Sequence, residues 1–430
     1  MSLDRRRFLQ GLGAGTLAAL TGCKTTGAPA AAVSTSTPLP AYADVSDAAY
    51  WSAVRDQYLL DPALTYLNTG GLGPAAKPVL DVYTRTMLEQ QRQGAHGHEL
   101  FHDARETVAE SFGVTADEIA FARNATEGNS TIAAGLKLAP GDEVIFESHA
   151  HPGGSFPWYN QANVRGVVVK LFEPDPESVE GNVARIRALI TPRTKVIQIS
   201  HVTAPTGIVL PAAEIGRLAH AHGIWFHIDG AQSAGMFPFG LRELECDSYA
   251  TSGHKWMGGP HETGVLFIRK ERLHEVMPSE TGSYSGILDQ LPGDLQYVPT
   301  AQRHEAGTRN AASVVSLAAA VEFHHQVGRE RIAAHGRELA VFLADELRRM
   351  PGITVLTPAR PELRGSITSF RSDHVRYDEL FGRLMGDHHF RCRPVSEQHL
   401  DCVRVSTHLF NTADDCVRLL DAIRTVIRQA

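Results

Sequence analysis

Short apolar runs alternate with amphipathic helical stretches over the first two thirds of the chain. The runs are "EVIFES" (143–148), "GVVVKLFE" (166–173), "KVIQISHV" (195–202), "IWFHID" (224–229) and "GVLFIR" (264–269). Helical periodicity fills the intervals, as in "PAAEIGRLAHAHG" (211–223). Nearly continuous apolar strands separated by helices are typical of a mostly parallel sheet covered on both faces. The pattern predicts a large α/β domain over residues 44–305.

The pattern changes after a long helical stretch, "AGTRNAASVVSLAAAVEFHHQVG" (306–328). The runs "ITVLTP", "GSITSFRS" and "CVRVSTH" predict strands, and "DDCVRLLDAIRTVIRQ" (414–429) predicts a helix between polar flanks. Residues 306–430 are therefore expected to form a smaller α+β domain, with the long helix as the hinge between the two domains.

An N-terminal leader precedes both patterns. "DRRRFLQGLGAGTLAALTGCK" places Arg5 and Arg6 before an apolar stretch too short to span a bilayer. This arrangement resembles a twin-arginine export signal, and "LTGC" resembles a lipobox in which Cys23 is lipidated. Residues 1–23 are thus predicted to be a signal, and residues 24–43 a tether. The protein is expected in the periplasm or cell envelope; the alternative is a chance leader on a cytoplasmic protein.

Composition narrows the class of protein. Of the 430 residues, 43% are hydrophobic and 21% charged, which is ordinary for a soluble globular enzyme. The net charge is -7, and no basic run beyond the leader indicates a nucleic-acid footprint. The cysteines beyond the leader lack CxxC or metal-type spacing and are expected to be buried, inert thiols. They are Cys246, Cys392, Cys402 and Cys416.

An aspartate and a lysine follow two predicted strands. Asp229 ends "IWFHID", and Lys255 follows "DSYATS" (247–252) in a loop of small residues. Open α/β sheets bind ligands at the carboxyl ends of their strands, so both side chains are expected in one crevice. Pyridoxal 5'-phosphate needs such a pair, because lysine forms an imine with it and aspartate holds its ring nitrogen protonated. Burial and nearby positive charge must then lower the lysine pKa. A structural ion pair is the alternative.

A phosphate-binding helix start is also predicted. In "ARNATEGNSTIAAGL" (122–136), Asn124, Ala125 and Thr126 begin a helical pattern, where backbone N–H groups and hydroxyls can bind a phosphate. An ordinary N-cap is the simpler interpretation of this stretch. Ser252 and His254 lie beside the lysine in sequence and could complete the phosphate site.

The motifs taken in order resemble those of class V aminotransferase-fold enzymes. They are "YLNTGGLGP" (66–74), "NATEGN" (124–129), "SHVTAPTG" (200–207), "HIDGAQSAG" (227–235), "SGHKW" (252–256), "EAGTRN" (305–310) and "VRVSTHLFNT" (403–412). Each motif is weak alone, but the set in this order is specific. The resemblance implies a fold-type I pyridoxal-phosphate protein, with a mostly parallel seven-stranded sheet and a small C-terminal α+β domain.

The same resemblance implies individual roles. Lys255 matches the Schiff-base lysine, Asp229 the partner of the pyridine nitrogen, and Gln232 the contact to the ring hydroxyl. Thr308 matches a residue that reaches the neighbouring subunit's cofactor phosphate, which implies a homodimer with shared sites. Arg404 matches the arginine that binds the substrate α-carboxylate, although a strand-end surface arginine is the alternative. The remaining matches to phosphate contacts are Ala125, Thr126, Ser252 and His254.

Two histidines in "ESHAHPGG" compete for one role. The family places a histidine or aromatic ring here on the pyridine face, and both His149 and His151 are candidates. We favour His151, which directly precedes Pro152 as the family's stacking residue precedes a short turn. A metal site at this HxH pair is disfavoured because no third ligand is evident nearby.

The segment "RCRPVSEQHLDCVR" bears on the branch of the family. Ser396 stands where cysteine desulfurases and selenocysteine lyases carry their nucleophilic cysteine, while Cys392 and Cys402 are displaced from that position. "HVTAPTG", "GTRN" and "RVSTHLFNT" instead resemble the isopenicillin-N epimerase-like branch. The resemblance implies abstraction of the Cα proton of an amino acid or similar substrate.

The outcome of that proton abstraction stays open. Epimerisation, β-elimination and transamination differ in where the next proton or leaving group goes, and the polar groups that could decide are His149, His151, His201 and Tyr284. Desulfurase and aminotransferase activity are alternatives. An exported binding protein without catalysis is disfavoured, because Lys255 and Asp229 are both present.

Overall fold

A computed structural model describes residues 37–288 and 290–430. The predicted signal, the lipidation site Cys23 and most of the predicted tether lie outside the described residues. Within these ranges, no helix has both the length and the apolar character needed to cross a membrane.

Helices and strands alternate through most of the chain. The α-helices are α1 (Asp47–Arg55), α2 (Lys77–Gln93), α3 (Phe101–Ser111), α4 (Ala125–Gly135), α5 (Pro152–Arg165), α6 (Val179–Leu189), α7 (Ala212–Ala221), α8 (Ala311–Val327), α9 (Arg329–Arg348), α10 (Tyr377–Gly386) and α11 (Ala413–Arg428). Short 3-10 helices cover Tyr42–Asp44, His98–Leu100, Ala116–Glu118, Lys270–Glu275, Ala301–His304, Pro361–Leu363 and Glu397–His399. The strands are β1 (Thr65–Tyr66), β2 (Ile119–Ala122), β3 (Glu143–Glu147), β4 (Val168–Phe172), β5 (Thr194–Ser200), β6 (Trp225–Asp229), β7 (Ser248–Ser252), β8 (Gly264–Ile268), β9 (Gly286–Ile287), β10 (Gln296–Tyr297), β11 (Ile353–Val355), β12 (Ile367–Ser372), β13 (Phe390–Arg391), β14 (Arg393–Val395) and β15 (Cys402–Ser406).

The large sheet has seven strands in the order β2-β8-β7-β6-β5-β3-β4. Only β8 runs against the others, pairing antiparallel with both β2 and β7. The central strands are buried on both faces, because successive residues such as Trp225 and Phe226 enter separate apolar cores. One core lies under α4 and α5, and the other lies under α3, α6, α7 and α8. The mostly parallel seven-stranded α/β sheet is thus confirmed.

The C-terminal part forms a smaller domain. Its four strands pair antiparallel in the order β11-β12-β15-β14, and α9, α10 and α11 pack against them around Phe370, Val403 and Leu419. The N-terminal segment joins this domain, since β1 pairs with β13 and Asn68 bridges to Ser406. The small α+β domain is therefore confirmed, while its exact boundaries stay a prediction.

Helix α8 lies within the predicted hinge stretch, residues 306–328, and packs on α2 and α3. It ends at Gly328, whose φ of 98° is in the region that favours glycine, and α9 begins at the next residue. The change of direction between the domains is therefore made at a single glycine.

Candidate active site

Lys255 and Asp229 lie at adjoining strand ends. Asp229 is the last residue of β6 and pairs with Ala250 of β7, so the loop after β7 carries Lys255 to the same sheet edge. The pKa of Lys255 is lowered from 10.5 to about 8. Burial is the main cause, the cations Arg404 and Arg393 add to it, and Asp229 opposes the shift. The two causes expected for an activated lysine are thus both present.

A series of hydrogen bonds through Asn129 and His227 holds Asp229 in place. Its Oδ2 accepts from Asn129 Nδ2 at 2.9 Å, and its Oδ1 accepts from the Ala231 backbone N–H at 3.0 Å. Burial lowers the pKa of His227 to about 3, so this imidazole is neutral. Its Nε2 donates to Asn129 Oδ1 at 2.9 Å, and its Nδ1 accepts from the Ser248 hydroxyl at 2.8 Å. The carboxylate is therefore fixed in one orientation.

The structure separates the two candidate histidines. His151 caps α5, its Nδ1 accepting from the Gly153 backbone N–H at 3.0 Å. Its pKa is lowered by burial and then by Lys255, while Asp229 opposes the shift, so the imidazole lies near both of these side chains. His149 instead contacts Thr206 at 3.0 Å. The geometry therefore favours His151 as the residue that lies against a bound ring.

The N-terminus of α4, which Asn124 caps, lies against Ser252 at the end of β7. Asn124 Oδ1 accepts from the Glu127 backbone N–H at 3.0 Å, and Ser252 Oγ accepts from the Ala125 backbone N–H at 3.0 Å. The N-cap interpretation is thus correct, yet Ser252 keeps a hydroxyl proton to donate. His254 Nδ1 is buried without a hydrogen-bond partner in the described part of the chain.

Two glycines keep this space open. A Cβ at Gly153 would lie 2.3 Å from Thr126 Oγ1, and a Cβ at Gly154 would lie 2.7 Å from Asp229 Oδ2. A side chain at either position would fill the volume between the helix start and the carboxylate. The open volume, the hydroxyls and backbone N–H groups at one end and the carboxylate at the other fit pyridoxal phosphate.

Arg404 projects from β15 into the same region and is 1% exposed. It donates to Ala204 O at 3.0 Å and to Asn68 Oδ1 at 2.9 Å, and its Nε is buried without a partner among the described residues. No carboxylate of the described chain lies within 4.0 Å of this guanidinium. Its pKa is lowered to about 9, chiefly by burial and to a lesser extent by the neighbouring Arg393. An unpaired buried cation suits an incoming carboxylate.

The segment around "YLNTGGLGP" covers the lysine loop. Gly73 N–H donates to His254 O at 2.8 Å, and a Cβ at Gly73 would lie 1.7 Å from Lys255 O, which only glycine permits. Gln232 Nε2 donates to Gly70 O at 2.9 Å. Gln232 also accepts from Trp256 Nε1 at 2.8 Å, so it lies beside the lysine loop, and its contact with a cofactor ring stays a prediction.

Three predicted groups lie elsewhere in this chain. Thr308 is exposed and lines a pocket of about 290 Å³ together with Glu127. The Tyr284 ring is exposed and packs edge-on against His98 at 4.3 Å. His201 is packed against Phe237 and Phe239, and burial lowers its pKa to about 4.

The cysteines behave as inert thiols, as predicted. All four described cysteines are buried. Burial raises the pKa of Cys392 and of Cys402 to about 12, so neither forms a thiolate readily. Ser396, at the position of the desulfurase cysteine, is exposed.

Several residues of the site were not assigned roles from the sequence. Asn68 and Asn129 stood inside quoted motifs, and His227 lay two residues before Asp229. The sequence could therefore have pointed to these three residues. Arg393 and Glu397 also stood inside a quoted segment, "RCRPVSEQHLDCVR", but nothing in it related them to Arg404. Their relation to Arg404 depends on the pairing register of β14 with β15.

Fold and site together define a fold-type I pyridoxal-phosphate enzyme. The Aminotransferase class-V family matches residues 75–419. The chain belongs to this family and is a pyridoxal-phosphate-dependent enzyme.

Similar proteins include isopenicillin N epimerases and cysteine desulfurases. Isopenicillin N epimerase of Amycolatopsis lactamdurans is 30% identical over 394 residues, which are 87% of this chain and 98% of that protein. A probable cysteine desulfurase of Halalkalibacterium halodurans is 29% identical over 390 residues, which are 84% of this chain and 93% of the relative. The sequence therefore resembles both branches at nearly equal identity.

Solved structures give the same family likeness. A mutant of C-DES with glycine covalently linked to the PLP cofactor has a TM-score of 0.79 and 26% identity, over 86% of this chain and 98% of its own. The apo cysteine desulfurase of Thermococcus onnurineus NA1 also gives 0.79, at 23% identity over 88% and 98%, which shows the fold alone.

Proposed function

We propose that this enzyme removes the Cα proton of an α-amino acid or a similar amine, with epimerisation or β-elimination as the outcome. One observation carries the proposal. The buried Arg404 guanidinium, which lacks a carboxylate partner in the described chain, lies close enough to Lys255 to lower its pKa. A carboxylate binder next to an activated amine suits an α-amino acid.

Substrate binding is assigned to Arg404. A guanidinium donates two parallel hydrogen bonds to a carboxylate, and here its position is fixed by Ala204 O and Asn68 Oδ1. A bound α-carboxylate would also remove the cost of leaving Arg404 buried and unpaired. This contact sets the orientation of the Cα–H bond.

Proton transfer is assigned to Lys255. With a pKa of about 8, roughly one lysine in ten is neutral at pH 7, whereas an ordinary lysine is almost entirely charged. The neutral amine can accept a proton from Cα and return it. Cofactor bound at this site supplies a ring that withdraws electrons from Cα. Asp229 would hold the nitrogen of that ring protonated, and the Asn129 contact keeps Asp229 in place.

The cysteine desulfurase alternative is the weaker one. The thiols of Cys392 and Cys402 are buried with raised pKa values, and the exposed residue at the expected position is Ser396. The relatives named isopenicillin N epimerase lend support to Cα–H chemistry instead.

Hydrogen exchange at Cα tests the proposal. The protein is incubated in D₂O with a panel of amino acids, followed by mass spectrometry and chiral chromatography. Exchange with inversion indicates an epimerase, whereas a keto acid with ammonia indicates a lyase. Stoichiometric pyridoxamine phosphate indicates a transaminase. Fast sulfide release from cysteine without Cα exchange on any other substrate would overturn the proposal.

The assembly is proposed to be a homodimer with shared sites. Thr308 is exposed, as a residue serving a second subunit must be. The hairpin β9–β10 also exposes apolar side chains, among them Ile287 and Leu291. Apolar side chains clustered on a surface mark interaction sites.

Export by the twin-arginine route, with a lipid on Cys23, is likewise proposed from the leader. That route moves folded proteins, which suits an enzyme that loads its cofactor in the cytoplasm. Labelling with a radioactive fatty acid, lost in Cys23→Ala, tests the anchor; unchanged labelling would overturn it.

A further inference from the structure

A second arginine faces the substrate region beside Arg404. Arg393 on β14 pairs directly with Arg404 on β15, so the two guanidinium side chains leave the sheet on the same face. Like charges placed directly opposite each other on neighbouring strands destabilise a sheet. The pair therefore needs a compensating anion.

The described chain compensates only part of this charge. Glu397 pairs with Arg393 through Nη2, but Arg393 Nη1 is buried and has no hydrogen-bond partner among the described residues. Arg404 Nε is in the same condition. Two buried cationic donors, on two different arginines, are thus left for a ligand.

Both arginines face the space next to the lysine. Arg404 and Arg393 both act on the charge of Lys255, and Arg393 and Glu397 both act on that of His151. The two arginines, Lys255 and His151 therefore lie near one another. The Arg393 side chain is 24% exposed, whereas its Nη1 is buried, so a ligand must enter the site to reach that atom.

The loop that carries Glu397 is held in an unusual backbone conformation. Gln398, His399 and Asp401 have φ values of 56°, 56° and 44°, a region that non-glycine residues rarely adopt. Such conformations persist where surrounding contacts determine them, and they cluster at ligand sites. The strained loop holds Glu397 against Nη2 of Arg393, while Nη1 has no hydrogen-bond partner among the described residues.

We propose that the substrate carries a second acidic group, and that Arg393 binds it through Nη1 while Arg404 binds the α-carboxylate. The proposal rests on the proposed function, since it names the substrate class of the same site. The enzyme is then expected to prefer amino acids with an acidic side chain to amino acids with a neutral side chain of equal length.

Binding of unreactive acids to the holoenzyme tests this without turnover. Calorimetry compares glutarate, which has two carboxylates, with valerate, which has the same chain length and one. Wild-type protein should bind glutarate more tightly. Arg393→Gln should weaken glutarate by about tenfold, as expected for one charge-assisted hydrogen bond, and valerate by less than about twofold. Arg404→Gln should weaken both acids.

Arg371→Gln is the matched control, because Arg371 is an exposed arginine on β12 of the same sheet. It should bind both acids as the wild type does. Equal binding of the two acids by wild-type protein overturns the proposal, even if a variant fails to fold. Equal weakening of both acids by Arg393→Gln, or of neither, also overturns it. Glutarate binding that depends on Arg393, without Cα exchange, would refute the proposed function alone.

Discussion

Among single residues, Arg404 allows the most specific prediction, which concerns the KM for amino-acid substrates. Replacing it with alanine should raise KM for amino-acid substrates by roughly one to two orders of magnitude, because a buried charged hydrogen-bond pair is lost. Arg404→Lys should not restore binding, since an ammonium cannot donate the two parallel bonds. Steady-state kinetics on any substrate found in the exchange panel measures this. An unchanged KM would place the carboxylate elsewhere.

We predict that stability depends on pH through Glu147, the last residue of β3. Burial raises its pKa from 4.5 to about 7, although the Ser200 backbone N–H donates to it at 3.0 Å. The folded protein thus keeps a proton that the unfolded chain has lost. The stability that the folded protein gains from the protonated Glu147 is fully present below about pH 4.5. It is lost as the pH rises through about 7.

Glu147→Gln should therefore gain stability relative to the wild type between about pH 5 and about pH 8. Urea unfolding across that window measures the difference in unfolding free energy. A difference that does not change with pH would show that Glu147 does not titrate as its burial indicates.

The sequence identified residues whose role follows from a strand end or a motif. Lys255, Asp229 and Arg404 converge as expected, because the ends of strands in one sheet lie together. It could not identify Arg393, since a register shift of one residue would turn that side chain to the other face. It favoured His151 over His149 only through the adjoining Pro152, because both histidines stand in the loop after one strand.

At the scale of elements, a buried ion pair holds the segment that leads to Thr308. Arg105 of α3 donates to Glu305 at 2.6 Å and 3.2 Å, and Glu305 also accepts from the Phe121 backbone N–H at 2.6 Å. Glu305→Ala leaves Arg105 buried and unpaired, so we expect a loss of about 3–5 kcal/mol in unfolding free energy.

Chemical denaturation measures that loss, with Asp117→Ala as the control. Asp117 pairs with Lys270 at 2.7 Å, but both side chains are exposed, so the control should keep nearly wild-type stability. If both variants lost the same amount, burial would not be what gives the Arg105–Glu305 pair its importance.

Periodicity predicted the long elements and missed the short ones. The predicted runs correspond to β3 to β8, β11, β12 and β15. Most of these runs are rich in apolar residues, whereas "DSYATS" and "GSITSFRS" are largely polar. The edge strand β2 lies between a 3-10 helix and the N-cap of α4, so local signals obscured it. The two-residue strands β1 and β13 form only through contact between distant parts of the chain.

At the scale of the whole molecule, we expect a homodimer. Sedimentation should give twice the chain mass, and Thr308→Ala should weaken cofactor binding without dissociating the dimer. Mixing Thr308→Ala subunits with Lys255→Ala subunits should give heterodimers whose two sites differ in activity. A fully active monomer would contradict the shared site.

The covalent attachment of the cofactor tests the central claim most directly. The purified protein should absorb at the edge of the visible range, and borohydride should abolish that band and fix the cofactor to the protein. Peptide mass spectrometry should then locate the added mass on Lys255. Lys255→Ala should fold but show neither band nor added mass. Modification of a different lysine, or an unchanged band in Lys255→Ala, would contradict the assignment of this site.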